Sequence, residues 1–306
     1  MSYKPSISEI KALRERSGAG LRDVKNALIE SGGDIDGAFD YLRKRGIAKA
    51  QKKAGRVAAD GLLIGKVEGS TGVLAEINCE TDFAAGTDAF IAYANAAVEA
   101  LISNKPTDID AFQACTWADG STTVEATQKA VFTIGENIRV RRFHMFEAAE
   151  GTHLHYYIHG KRLGTMVEVK APSTEQTEDV LDEICLHIVS TRPEYINSSD
   201  IPSALREKEE TIQFERAKAD EKMAKKPDEI IKKMINGRII KWTQSISLMD
   251  QEWYEEKKKT AKKLKEFGSS LGGNVVVNEF ACFGLGEGIQ KKENNFADEV
   301  ASMSNS

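Results

Sequence analysis

The absences in this chain narrow its function before any motif is considered. Its longest mostly apolar stretch, AFIAYANAAVEALI, is interrupted by Asn95 and Glu99 and is too short to span a bilayer, so no membrane association is expected. The opening residues, MSYKPSISEIK, are polar and lack the apolar core of a secretory signal, which predicts a cytoplasmic protein. Only four cysteines occur, Cys79, Cys115, Cys185 and Cys282, far apart and without a CxxC pair. They read as thiols in a reducing compartment, with no spacing suited to a metal. No GxxxxGK[ST] loop, strand-to-helix GxGxxG or GxSxG elbow is present, so nucleotide-binding and serine-hydrolase chemistry have no sequence support. A net charge of −5 offers no broad positive field for a phosphate backbone, and no nucleic-acid partner is expected.

What is present is the composition of a globular protein, 41% hydrophobic and 29% charged, with room in 306 residues for two or three compact units. Residues 6–45 read as three short helices. Ser6 and Glu9 have capping-box spacing, and Ile7, Ile10, Leu13 and Arg14 follow at helical intervals. The glycines of Ser17-Gly18-Ala19-Gly20 stop that helix. A second carries Leu21, Val24, Ala27 and Leu28 on one face, and after Gly32-Gly33, Asp34 caps a third with Ile35, Ala38, Phe39 and Leu42 inward. A unit so small has a small core and leaves one face for a partner. The basic, Ala-rich residues 46–60 read as a solvated linker with some helix.

The pattern then alternates. Strands are predicted over Leu62–Val67, Val73–Ile77, Asn137–Phe146, Leu154–Ile158 and Thr165–Val169, with helices over Asp88–Ile102, about 122–133, and Glu175–Ser190. A repeat lies within this region. Shifted by 92 residues, Gly72-Val73-Leu74-Ala75-Glu76-Ile77 overlies Gly164-Thr165-Met166-Val167-Glu168-Val169, each within a hairpin-strand-helix order. Two related α+β subdomains follow, each a small antiparallel sheet covered by helices. Beyond Pro202, Leu205–Met223 and Glu229–Trp242 flank Lys225-Lys226-Pro227-Asp228 and read as an antiparallel helical hairpin, with Pro227 in the first helical turn of the second arm. Val275–Val277 and Phe280–Phe283 supply a late strand, and 291–306 a short amphipathic helix with a frayed end. The Gly-rich Gly284–Gly288 contains Glu287, which would repel a phosphate, so it reads as a tight turn.

Two features could carry function. His153, His155 and His159 share one strand face, which suits either metal ligands or sheet and partner contacts, although no acidic partner is evident nearby. The other is Asn78-Cys79-Glu80-Thr81-Asp82-Phe83. The first repeat runs into Thr81-Asp82-Phe83, whereas the second reaches Ser173-Thr174-Glu175, an ordinary polar cap. Phe83 reads as a core residue under the following helix, or, if exposed, as an anchor for a partner.

At these residues the chain resembles translation elongation factor Ts, the nucleotide exchange factor for elongation factor Tu. The resemblance spans nearly the whole length, through LRERSGAGLRDVKNAL, KKAGRVAADG, NCETDF, IGENIRVRR, YIHGKRLG, INGRIIKWT and FGLGEGI in that order. It implies a ubiquitin-associated-like module (1–46), a linker (47–60), core subdomains (61–147 and 148–290), a projecting hairpin near 203–245, and a C-terminal helix and tail (291–306). It implies further that Asp82 and Phe83, flanked by Thr81 and Ala84, act as a wedge that displaces magnesium from the GTPase, in its GDP-bound and nucleotide-free states. Arg14, Gly18, Gly20 and Lys25 of the N-terminal module, and His159 of the second subdomain, become further partner contacts. No cofactor, no direct nucleotide binding and no covalent catalysis are implied; a homodimer is compatible with the sequence but not demanded by it. Two departures stand out: Ala84 where the family commonly has Val, and Leu248-Met249-Asp250-Gln251-Glu252-Trp253-Tyr254-Glu255 where relatives read LxxQPFVKD. A metal enzyme built on the histidines and an adaptor that only docks through 6–45 are the rival readings.

Overall fold

The computed structural model describes residues 3–220 and 227–290. Helices α1 (Ile7–Ser17), α2 (Leu21–Glu30) and α3 (Ile35–Lys53) form the N-terminal unit. Both halves of the Ser6–Glu9 capping box are made, and Gly18 ends α1 in the left-handed conformation at φ 65°. Leu13, Val24, Ala27, Leu28, Ala38 and Leu42 make its core. Leu21 and Ile35, expected inward, are exposed, because each is the first residue of its helix and lies at the edge of so small a core. α3 runs through much of the segment expected as linker, since its underside finds a surface: Gly46 lies against the Phe132 ring and Lys49 Nζ sits 4.7 Å above it.

The first subdomain comprises β1 (Asp60–Glu68), β2 (Thr71–Cys79), α4 (Asp82–Ala85), α5 (Asp88–Asn104), α6 (Ile109–Gln113), α7 (Thr123–Ile134) and β3 (Arg139–Glu147). The second has β4 (Thr152–His159), β5 (Leu163–Lys170), α8 (Thr177–Thr191), α9 (Ser203–Ala219), α10 (Asp228–Ile246), α11 (Thr260–Leu271) and β6 (Val276–Gly284). The sheets are antiparallel, in the orders β1-β2-β3 and β4-β5-β6, and the late strand, β6, pairs with β5 at the edge of the second sheet.

The 92-residue repeat has a three-dimensional counterpart. Its two segments are the central strands β2 and β5, and each is interrupted by a register shift at the same repeat position, Glu76/Ile77 and Glu168/Val169. Strand alternation then sorts the side chains by face. Val73, Ala75 and Ile77 pack under α5 and α7; Val167 and Val169 pack under α8 and α11. On the other faces Leu74 and Met166, equivalent positions of the repeat, meet in a shared seam with Phe146 and Ala281. The two glycines permit that approach: a Cβ on Gly72 would lie 2.8 Å from Met166 Sδ, and one on Gly164 would lie 3.4 Å from Leu74 Cδ1. The result is two helix-covered sheets back to back, joined by an apolar seam.

α9 and α10 pair along Phe214, Ala217, Ile231, Ile235 and Ile239. Pro227 occupies the N-cap position of α10 and not its first turn, and Lys225-Lys226 lie outside the described residues, as does the expected helix of 291–306. The second repeat also departs from expectation at its helix start. α8 begins at Thr177 with Gln176 as an uncapped N-cap, because Thr174 N donates to Thr177 Oγ1 and pulls Ser173-Thr174-Glu175 into a turn.

The segment that departs from the family pattern packs inward. Trp253 is buried and stacks on His187 with ring centroids 4.4 Å apart. His187 Nδ1 accepts from Tyr254 N at 3.3 Å, which leaves Nε2–H to face Thr260 Oγ1 at 2.9 Å. Burial pushes the His187 pKa down to about 4. A histidine depressed in the folded state stabilises the fold above its unfolded value near 6.5, and that contribution is lost as pH falls from there toward 4. Urea unfolding at pH 7 and at pH 4.5 should therefore differ by about 2 to 3 kcal/mol from this residue. A His187→Asn variant should lose that part of the pH dependence, and an identical slope in variant and wild type would show that His187 does not titrate on unfolding.

Candidate functional site: a braced aromatic tip

The strand β2 ends at Cys79, and within four residues the chain turns into the single-turn helix α4. Thr81 is the reason a helix starts there: in extended conformation (φ −129°, ψ 154°), its Oγ1 accepts from Ala84 N at 3.2 Å. At the other end Thr87 Oγ1 donates to Ala84 O at 2.7 Å and accepts from Phe90 N, which starts α5. Ala84 and Ala85 turn into the first core, so the opposite face of α4 carries Asp82 and Phe83 outward. Phe83 is 86% exposed. Of the two readings of Phe83, core residue or exposed anchor, the exposed one holds: Ala84 and Ala85 occupy the inward face of the single turn and leave no inward place for the ring. Ala84 fills the inward position, at 6% exposure, and the smaller side chain fits beneath the helix.

The tip is held from below by two charged residues that sequence reasoning passed over. Glu136 Oε2 accepts from Glu80 N at 2.9 Å and Thr81 N at 3.0 Å, and its Oε1 accepts from Thr81 Oγ1 at 2.6 Å. In return Glu80 Oε1 accepts from Asn137 N at 2.7 Å. Asn137 Nδ2 donates to Arg56 O at 2.7 Å and Ala54 O at 3.4 Å, so the segment that follows α3 joins the same network. The signal lay in IGENIRVRR: a glycine that ends a helix followed at once by a carboxylate and a carboxamide. Nothing local says which strand end that carboxylate serves. Cys79, beneath the tip, donates from Sγ to Thr81 O at 3.1 Å, and burial pushes its thiol up to about 12, so it is a packing residue and not a nucleophile.

The remaining expected site residues lie elsewhere. Arg14 is in the last turn of α1, Gly18 and Gly20 bracket the α1–α2 turn, and Lys25 is on α2; Arg14, Gly18, Gly20 and Lys25 are all exposed. Leu21, 52% exposed, adds an apolar side chain beside Gly20. Gly18 is constrained from the core side, since a Cβ there would come 3.3 Å from Thr133 Oγ1.

His159 is exposed at the end of β4, its Nδ1 3.0 Å from Tyr157 Oη. The other two histidines find separate partners. His155 Nε2 lies 2.7 Å from Asp182 Oδ1, an acidic neighbour supplied by α8 that the sequence did not reveal, and His153 Nε2 lies 3.1 Å from Ala171 O. Among the described residues no group of three or more His, Cys, Asp or Glu side chains is placed to hold a metal ion. Among them, too, no helix is long and apolar enough to cross a membrane.

Glu287, the acidic residue of the Gly-rich turn, is ion-paired with Arg192 and with Arg142 at 3.4 Å. That turn therefore belongs to the junction of the two subdomains.

Comparison with known proteins follows the same lines. The family model described as Elongation factor TS matches residues 80–287, a span that begins at the tip and ends at the Gly-rich turn. The chain is 39% identical over 300 residues to Elongation factor Ts of Alkalilimnicola ehrlichii, covering 97% of this chain and 98% of the relative. It is 42% identical over 300 residues to Elongation factor Ts of Symbiobacterium thermophilum, covering 95% of each. Against Elongation factor Ts of Thioalkalivibrio sulfidiphilus the identity is 40% over 300 residues, with 97% and 98% covered.

Proposed function

The chain belongs to the elongation factor Ts family, and on that premise we propose that it releases GDP from elongation factor Tu during polypeptide elongation in the cytoplasm, using Asp82 and Phe83 as a wedge beside the magnesium site. The observation that carries this reading is the exposure of Phe83 on a tip fixed from beneath by Glu136. A large ring left in water on an otherwise core-forming junction is the property of a binding anchor, and placing such a ring in a partner contributes about 1.5–3 kcal/mol. Asp82 beside it brings a carboxylate that can compete with the ligands of a bound cation.

The mechanism forms no covalent bond. Magnesium and the nucleotide phosphates hold each other in the GTPase, so displacing the ion weakens GDP. Coupling is reciprocal: the factor lowers GDP affinity by the same ratio that GDP lowers affinity for the factor. Both the GDP-bound and the nucleotide-free GTPase are therefore partners. Arg14, Gly18, Gly20, Lys25 and the exposed Leu21 supply a second contact from the N-terminal module, and His159 a third from the second subdomain. Fluorescent GDP preloaded on elongation factor Tu should leave faster when this protein is added at micromolar concentration. An unchanged release rate over a wide range of factor concentration would reject the proposal.

A further inference from the structure

We infer that Glu136 is a positioning residue for the Asp82-Phe83 tip, an inference that rests on the exchange reading above. A helix of four residues is too short to hold its own direction, because it closes hardly any internal hydrogen bonds for the dihedral angles it fixes. Phe83 cannot hold it either, since its ring makes no core of its own. Ala84 and Ala85 seat the helix on the core, and a carboxylate from beyond α7 fixes the chain that leads into it. Gly135 ends α7 at φ 88°, a conformation that turns the chain and sends Glu136 under the end of β2. There it takes two backbone N–H groups and the Thr81 hydroxyl. Hydrogen bonds to an ionised acceptor are the stronger kind.

The hydroxyl bond matters most. Thr81 Oγ1 has one proton, which it gives to Glu136, so its lone pairs remain for Ala84 N, the bond that starts α4. Glu136 thereby sets the rotor that caps the helix that presents Phe83. Glu80 returns a bond to Asn137 N, so the two segments, 80–81 and 136–137, clamp each other. Among the described residues the second repeat has no such brace: Pro172 and Ser173 stand where Glu80 and Thr81 do, Ser173 Oγ lies 3.5 Å from His153 Nε2, and no helix starts at the equivalent position. Of the two repeats, the one that presents an aromatic is the one that carries the brace.

A wedge works in one orientation, and misplacement of a positioned group by about 1 Å can cost about 100-fold in rate. Loosening the brace should therefore lower the maximal exchange rate more than the affinity of the complex. The test measures fluorescent GDP release from elongation factor Tu against factor concentration, with Glu136→Ala, Glu136→Gln, Phe83→Ala and the Glu136→Ala/Phe83→Ala pair. Glu136→Ala should reduce the maximal rate about ten-fold and move the half-saturating concentration less than about two-fold. Glu136→Gln keeps an oxygen for the backbone N–H groups but cannot accept the Thr81 proton on its amide nitrogen, so it should fall between; it carries the test should the alanine variant not fold. With Phe83 already removed, Glu136→Ala should cause no further loss. A wild-type maximal rate for both Glu136 variants, with Phe83→Ala slow, would overturn this inference and leave the exchange reading standing. An equal fractional loss with and without Phe83 would also overturn it, since that is the mark of a residue that only supports the fold. A wild-type rate for Phe83→Ala would remove Phe83 as the wedge, and this inference with it, while loss of exchange by the unmodified protein is what would reject the exchange reading.

Discussion

Replacing Phe83 by alanine should slow GDP release from elongation factor Tu by about ten- to a hundred-fold, with almost no change in stability. The size follows from the ring. Burying a phenylalanine side chain in a partner is worth about 1.5–3 kcal/mol, and each 1.36 kcal/mol lost from the transition state is about a factor of ten in rate. The absence of a stability effect follows from exposure: with 86% of its surface in water, the side chain has little to lose on truncation, and surface changes of this kind lie within about 0.5 kcal/mol. The α4 cap is made by Thr81, and the inward face by Ala84 and Ala85, so neither depends on the ring. The two measurements therefore separate cleanly. Release at the wild-type rate would remove Phe83 from the mechanism, while a lowered unfolding midpoint would mean that the ring packs after all.

The second large effect concerns stability. Glu76 is completely buried in β2 on the seam side of the first sheet, and it ties β2 to β3 and to the turn after β6. Its carboxylate accepts from Arg141 Nη1 at 3.0 and 3.1 Å, Arg142 Nε at 2.6 Å, Asn78 Nδ2 at 3.1 Å and Gly286 N at 2.8 Å. Burial alone would push its pKa up. The Gly286 amide, Arg141, Asn78 and Arg142 together outweigh that and hold the carboxyl below its usual range. Removing one partner of a buried pair typically costs about 3–5 kcal/mol; here the arginine side chains are 21% and 31% exposed and can partly rehydrate, so Glu76→Ala should cost about 2–4 kcal/mol. Glu168, its repeat counterpart, accepts among the described residues from Ala149 N and Thr152 Oγ1, both neutral donors, and Glu168→Ala should cost about 1–2 kcal/mol. Urea unfolding of the two variants provides the comparison. If Glu168→Ala were as damaging as Glu76→Ala, the arginine cluster would not be what makes position 76 costly.

That cluster also explains why the Gly-rich turn contains an acid. Gly286 offers its N–H to Glu76 at a left-handed φ of 70°, and a Cβ there would collide with Ala59 O. Glu287 meets Arg192 and Arg142 from the other side. Residues from β2, β3, the end of α8 and the turn after β6 thus share one ion-pair network across the junction of the two subdomains.

The sequence by itself determined much of what has its cause within a few residues, though not the Thr174–Thr177 turn that delays α8. Ser6–Glu9, the stop at Gly18, the hairpin of β1 and β2, and the two arms of the helical hairpin follow from capping, glycine and periodicity, which act over one or two turns. The 92-residue repeat was legible for the same reason: six consecutive residues carry the alternation that later sorts Leu74 and Met166 into the seam. The resemblance to the Ts family was also legible, because its blocks are contiguous. Tertiary structure decided what depends on a partner far along the chain. α3 outlasts its expected end because Phe132 lies beneath it. His155 acquires Asp182 from α8, and Trp253 fills the place beside His187 that no local pattern announces. At Thr81-Asp82-Phe83 the two sources divide the work. Local chemistry set the cap and the turn, but only packing could show that Ala84 and Ala85 take the inward face and that Glu136, 55 residues beyond Thr81, holds the tip from below. Exposure is a property of what else occupies the space, and no window of sequence contains it.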